Sequence, residues 1–228
     1  MPNNPRAQAE AGTTAAKAAT DALHPDAGPA YWFCKRLFDI AFSATALLVA
    51  GLPMLVIAIW VKLDDSSGPV FFRQSRTGLA GRRFNLLKYR TMVSNAEELK
   101  EQLRDQSEVP WPDFRMENDP RVTRIGRFLR KTSLDELPQF INVLKGDMSI
   151  VGPRPTSFEA GTYDMWQTGR LDFRPGITGP WQVEGRSTMD FEERCRLEIS
   201  FFRHPSFWRE IRLIFATVRV VFSRTGVA

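Results

Sequence analysis

Two carboxylates stand side by side in Thr132-Ser133-Leu134-Asp135-Glu136-Leu137-Pro138-Gln139, with Arg130 and Lys131 just upstream. Such a carboxylate can attack phosphorus only if nearby positive charge offsets the repulsion between two anions. Ser133, Asp135 and Glu136 are also good helix-start residues, so plain capping accounts for the same letters. Pro138 would interrupt the second turn if Ser133 were the cap, but falls in the tolerant first turn if Asp135 is. Either choice places Asp135 at a helix N-terminus, where partial positive charge favours its ionised form and draws phosphate oxygens. Neighbours on a helix point about 100° apart, so the two acids are not expected to face each other as an acid/base pair. Divided labour is the natural reading, with one attacking and the other holding a metal.

Further cations surround this pair in the sequence. Lys88 and Arg90 close a candidate hairpin, and Arg154 lies in Val151-Gly152-Pro153-Arg154-Pro155. A turn stiffened by two prolines suits Arg154 to a planar phosphate clamp, although the same residues make an ordinary connector. A second loop, Arg174 to Arg186, contains Gly176, Gly179, Trp181, Gln182 and Gly185. Its glycines permit close approach to a ligand, Trp181 offers a face, and Gln182 and Arg186 offer hydrogen bonds. A tight loop around a packed Trp explains those types equally well. Neither a GxxxxGK phosphate loop nor a GxGxxG fingerprint occurs.

The elements that must position these groups follow from pattern. Residues 1–30, rich in Ala, Thr, Pro and Gly, bury too little to offset the entropy of ordering and read as a disordered tail without a signal peptide's layout. Ile40 to Val61 holds no charge, long enough as a helix to cross a bilayer. Lys35 and Arg36 precede it and Lys62, Arg73, Arg76, Arg82 and Arg83 follow, so the positive-inside preference draws both ends to the cytoplasmic face. Pro53 near its middle bends it. A helix that enters and leaves on one side meets both observations, and a kinked spanning helix is the alternative.

Val70–Gln74 and Phe84–Thr91, around Gly78 and Gly81, predict a hairpin. Ser94 with Glu97 predicts a capped polar helix to about Asp105, and the Pro110–Pro112 stretch a loop. Helices follow at Val122–Leu129, at Leu134 to about Lys145 ending at Gly146, and from Phe191, with Val151–Arg186 irregular between. Phe207 to Phe222 is a basic amphipathic helix, fit either for a membrane interface or for a core edge. The fold class is thus α+β, mainly helical with a small β-hairpin. Residues 1–30 form the tail, 31–63 the membrane element and 64–228 a cytosolic catalytic domain.

Composition narrows the chemistry. The net charge of +5 favours anionic partners. Two cysteines, Cys34 and Cys195, lie too far apart for a CxxC or zinc pattern, and two histidines leave little room for a triad or a His-rich cage.

Assembled in order, these motifs resemble those of the bacterial monotopic phosphoglycosyl transferases, the polyprenyl-phosphate sugar-1-phosphate transferases of the bacterial sugar transferase family. The resemblance runs from about Tyr31 to Ala228. It rests on Lys35-Arg36-Leu37-Phe38-Asp39, Lys88-Tyr89-Arg90-Thr91-Met92, Asp119-Pro120-Arg121-Val122-Thr123 and Leu129 to Gln139. It continues through Asn142 to Ser149, Val151 to Pro155 and Arg174 to Gly179. It implies a re-entrant helix-break-helix at Pro53, with interfacial amphipathic helices. It further implies that Asp135 attacks the β-phosphorus of a UDP-sugar, releases UMP and passes the phosphosugar to undecaprenyl phosphate. Glu136 would position Mg²⁺, Lys88, Arg130 and Arg154 would bind phosphates, and Gln182 and Arg186 would lie near nucleotide or sugar. Implied partners are a UDP-sugar, undecaprenyl phosphate and the bilayer of the bacterial inner membrane at its cytoplasmic face. A homodimer is left open, and nucleic acid is not expected. The chain departs from the family in having Leu52-Pro53 where Ser-Pro is common, and in Phe207-Trp208-Arg209-Glu210 near the last helix. A basic membrane-tethered binding module and an inactive scaffold are the competing readings; the arginines of 121–131 motivate the first, and the intact Asp135-Glu136 pair opposes the second.

Overall fold

The computed structural model describes residues 27–103, 116, 118–184 and 189–223. The expected tail up to residue 26, the Pro110–Pro112 loop and Arg186 lie outside the described residues.

Helix α1, Pro29–Asp64, is a single helix with Pro53 inside it and only Val61, Ile57, Ser43, Asp39 and Lys35 buried. Secondary structure thus runs through the proline at which a helix-break-helix is expected, and Pro53 has no N–H to offer the Val49 carbonyl. It would measure about 54 Å if straight. Leu48, Val49 and Leu52 are 84%, 75% and 73% exposed, so this is not the buried helix of a soluble core.

Both ends of α1 dock on the same body. At one end, Arg36 donates to the Val143 and Leu144 carbonyls, and Asp39 accepts from the Ile150 N–H. At the other, the Tyr89 hydroxyl donates to the Met54 carbonyl at 2.8 Å, and Asp64 accepts from the Ile125 N–H. Ile57 and Val61 complete an apolar cluster with Tyr89 and Leu129.

The hairpin forms as expected: β1, Phe71–Thr77, pairs antiparallel with β2, Arg83–Tyr89, with Phe72 opposite Lys88. Period two places Gln74, Arg76, Leu86 and Lys88 on one face. Helix α2, Ala96–Gln102, starts from Asn95 without a side-chain cap. The expected cap, Ser94, is instead engaged in tertiary contacts: its hydroxyl meets that of Ser67 and its N–H donates to Asp65. Helix α3, Arg124–Thr132, is capped by Thr123 through the Gly126 N–H.

The expected Leu134–Lys145 helix divides into a 3-10 turn, Leu134–Glu136, and α4, Gln139–Lys145, which ends at Gly146 in the left-handed region. Beyond it, β3 (Ser149–Val151) pairs in parallel with β4 (Gly176–Thr178), a two-stranded sheet not anticipated in the stretch read as irregular. The approach is tight: a Cβ on Gly152 would sit 2.2 Å from the Arg174 carbonyl oxygen, so glycine is required there. Helix α5, Pro180–Glu184, follows, then α6, Phe191–Arg203, with a capping box of Asp190 and Glu193.

The last helix, α7, is Phe207–Ser223. Its apolar side chains fall on two surfaces, one packed and one exposed. Leu213 joins the main core with Val143, Met148 and Ile150, while Trp208 and Phe215 are each 71% exposed. Docking runs through Glu210, buried and accepting from Tyr31 and Lys35 of α1 at 2.6 Å each.

Candidate active site

The backbone reverses at Ser133, whose φ of 56° lies in the left-handed region and closes α3. Leu134 and Leu137 then pack on the cluster built from Ile57 and Val61 of α1. These two anchors hold the 3-10 turn between them, so Asp135 and Glu136 project together toward β2 and the residues after β3.

Although adjacent in sequence, both acids reach one ammonium. Lys88 Nζ is 2.7 Å from Glu136 Oε1 and 3.8 Å from Asp135 Oδ2. Arg154 Nη2 lies 3.0 Å from the same Glu136 oxygen. Arg130 donates from Nε to the Thr91 hydroxyl at 2.9 Å, and its charge acts on Asp135. Lys88, Arg130 and Arg154, named from three separated motifs, thus converge on the two carboxylates. The Asp135 side chain is 11% exposed, Glu136 18%, Lys88 21% and Arg154 34%, so the group is recessed but open.

The environments push the two acids apart. Burial lifts the Asp135 carboxyl above the ordinary carboxylate range, Glu136 adds to this, and Lys88 and Arg130 only partly offset it. Glu136 meets a desolvation penalty too, but Arg154 and Lys88 outweigh it and hold its carboxyl at about 2. Asp135 does not head a regular α-helix as expected. Ser133 breaks the chain out of α3, and Pro138 delays α4 until Gln139, so Asp135 sits in a 3-10 turn. Side-chain cations supply the field instead.

With Asp135 as an attacking carboxylate, its raised pKa would set an acid limit on rate. Turnover is expected to fall on acidification at a pH above the ordinary Asp value of about 4, while Glu136 remains charged down to about 2. A rate profile flat down to pH 4 would contradict this.

Next to these groups lies a cleft of about 300 Å³, open mouth included, lined by Arg76, Leu86, Lys88, Gln139, Arg154 and Pro155. Sequence reading had missed Arg76 and Gln139 as site residues. Arg76 was recoverable from strand alternation, which puts it on the Lys88 face; Gln139 had no signal beyond its place in the carboxylate motif. Gln182 takes part in its own loop, donating from Nε2 to the Ile177 carbonyl at 3.3 Å. Trp181 lies beside Arg154, whose guanidinium is 6.0 Å from the ring centre, and beneath Arg194 at 4.5 Å.

Among the described residues no group of three metal-ligating side chains occurs. Mg²⁺, however, commonly takes one or two carboxylates and completes its shell with substrate phosphates and water. An ionised Glu136 beside Asp135 would be a carboxylate donor of that kind.

Residues 30–224 match the family described as bacterial sugar transferase. The chain is 43% identical over 194 residues to a galactosyl transferase, CpsE, of Streptococcus agalactiae, covering 84% of this chain and 43% of that protein. It is 43% identical over 199 residues to the undecaprenyl-phosphate galactose phosphotransferase of Salmonella typhimurium, covering 85% and 41%. It is 37% identical over 207 residues to the exopolysaccharide production protein ExoY of Rhizobium meliloti, covering 89% of each. The chain thus spans about two fifths of the length of the first two relatives and nearly all of the third.

Proposed function

The chain belongs to the bacterial sugar transferase family, and on that premise we propose that it transfers a sugar-1-phosphate from a UDP-sugar to undecaprenyl phosphate. The observation that carries this reading is the placement of Asp135: a recessed carboxylate with a raised pKa, among three cations, one residue from a leucine packed on the apolar helix.

In the first step an Asp135 oxygen attacks the β-phosphorus. The bond from that phosphorus to the bridging oxygen breaks, and UMP leaves with the electron pair. In the second, a phosphate oxygen of undecaprenyl phosphate attacks the same phosphorus and the bond to Asp135 breaks, restoring the carboxylate and giving an undecaprenyl diphosphate sugar. A raised pKa makes Asp135 the more basic of the two acids and so the better nucleophile once ionised. Glu136, kept ionised, holds Lys88 and Arg154 in place between steps and would contribute an oxygen to Mg²⁺. The metal would neutralise charge that develops on the diphosphate. Arg154 and Lys88 offset the donor's negative charge, and the charge of Arg130 favours the ionised form of Asp135.

Helix α1 would attach the chain to the membrane. Residues 35–39 and 57–64 pack on the same body, which supports entry and exit on one side, because a spanning helix would carry its ends to opposite faces. Basic residues at both ends favour the cytoplasmic face, where nucleotide sugars are available. The exposed Trp208 and Phe215 of α7 add an interfacial surface. Transfer to undecaprenyl phosphate would begin exopolysaccharide, O-antigen or related glycan synthesis.

The test is a panel of UDP-sugars with the full chain in detergent or nanodiscs. UMP is expected to appear with at least one donor and to depend on Mg²⁺. With acceptor withheld, mass spectrometry is expected to find the phosphosugar on the peptide containing Asp135. UMP release with no adduct under rapid quench would favour direct transfer, and release from no donor would end the proposal.

A further inference from the structure

The Arg154 backbone is held at both of its polar groups. Pro153 and Pro155 have no N–H, so the Arg154 N–H is the sole main-chain donor between Gly152 and Thr156. It donates to Glu198 Oε1 at 2.7 Å, and the Arg154 carbonyl accepts from Arg170 Nη2 at 2.7 Å. These two partners pair with each other, Arg170 Nη2 to Glu198 Oε2 at 2.6 Å, with side chains 5% and 0% exposed. Arg170 belongs to the 3-10 segment Gln167–Asp172 and Glu198 to α6, so two distant elements meet on one residue.

Opposite charges sealed from water seldom repay their desolvation, and apolar replacements of equal volume are often as stable. Burial indeed lifts the Glu198 carboxyl despite the adjacent arginines. The pair is therefore better explained by what it grips than by the stability it adds. We propose that Arg170 and Glu198 form a positioning clamp for Arg154. The carboxylate holds its N–H and the guanidinium holds its carbonyl, which fixes the base from which the Arg154 side chain reaches Glu136 and the donor diphosphate. This rests on the reading of Arg154 as a diphosphate ligand.

The experiment is a substitution cycle on the full chain in detergent, measuring the Kd for UDP by calorimetry together with kcat and KM for UMP release. Glu198→Met with Arg170→Met preserves volume while freeing the Arg154 backbone. It is expected to keep the wild-type circular dichroism and to weaken UDP binding and kcat/KM about tenfold. In an Arg154→Ala background the same pair of changes is expected to cost nothing further, because a clamp without its residue has no work to do. Glu198→Gln, which keeps the shape and an acceptor oxygen, carries the test if the double variant does not fold; a severalfold loss that vanishes in Arg154→Ala is expected. Wild-type binding in both variants, or an equal loss with and without Arg154, would overturn the clamp alone. Failure of UDP to bind the unsubstituted chain would overturn the donor reading and the clamp with it.

Discussion

Asp135→Asn is expected to lower UMP release by about 10⁴-fold or more while leaving the melting temperature unchanged or higher. The kinetic half follows from the role of nucleophile: an amide at that position neither attacks phosphorus nor leaves from it at a useful rate. The stability half follows from the raised pKa of Asp135. A carboxyl whose folded-state pKa exceeds its unfolded value opposes folding once ionised. Its contribution is most favourable below the unfolded pKa and is lost as pH rises through the folded one. At neutral pH the native state therefore carries that cost, and Asn removes it. Glu136 still offers Lys88 a partner at 2.7 Å, so the ammonium is not orphaned. Substantial retained turnover would remove Asp135 from the mechanism, and a clearly lowered melting temperature would refute the strain assigned to it. Such a trade, with stability spent at the reacting group, is common where catalysis needs an unfavourable charge.

Lys88→Met should have the second-largest effect, a loss of about 10²- to 10³-fold in kcat/KM. Its ammonium meets both carboxylates, so its removal leaves two neighbouring anions with mainly Arg154 and Arg130 to separate them. Repulsion should then raise the Asp135 pKa further, and the acid limb of the rate profile should move to higher pH. Lys88→Arg keeps the charge but exchanges a compact ammonium for a broad planar fork, and is expected to recover only part of the rate. A Met variant with an unshifted acid limb would show that Lys88 binds donor phosphate alone and does not tune the nucleophile.

Much of this was legible from residue types. The hairpin appeared in β-favouring residues around Gly78 and Gly81, α7 in helical spacing, and the long apolar helix in the uncharged run from Ile40 to Val61. The cations that meet the carboxylates, Lys88, Arg130 and Arg154, were each named from local motifs. Their convergence could not be read from spacing, since 48 residues separate Lys88 from Glu136 and 18 separate Glu136 from Arg154.

The misreadings share a cause. Ser94 and Ser133 are both good local caps, yet Ser94 is engaged by Asp65 and Ser67, and Ser133 turns left-handed so that Leu134 and Leu137 can reach α1. In each case a long-range contact outweighed a local hydrogen bond of about 1 kcal/mol. Buried acids were missed in the same way. Glu198 lies in the buried stripe of Cys195 and Phe202, and Glu210 in line with Leu213, so helical periodicity carried a trace of them. Nothing local revealed their partners Arg170 and Lys35.

By itself the sequence determined which groups could do chemistry and which segments would be helix, hairpin or apolar anchor, because residue type and short-range periodicity act within a few positions along the chain. Only the tertiary structure decided that Asp135 would be the acid with the raised pKa and Glu136 the one held ionised. That distinction depends on burial and on charges carried in from β2, α3 and the Arg154 turn, and desolvation and Coulomb interactions follow distance in space rather than position in sequence.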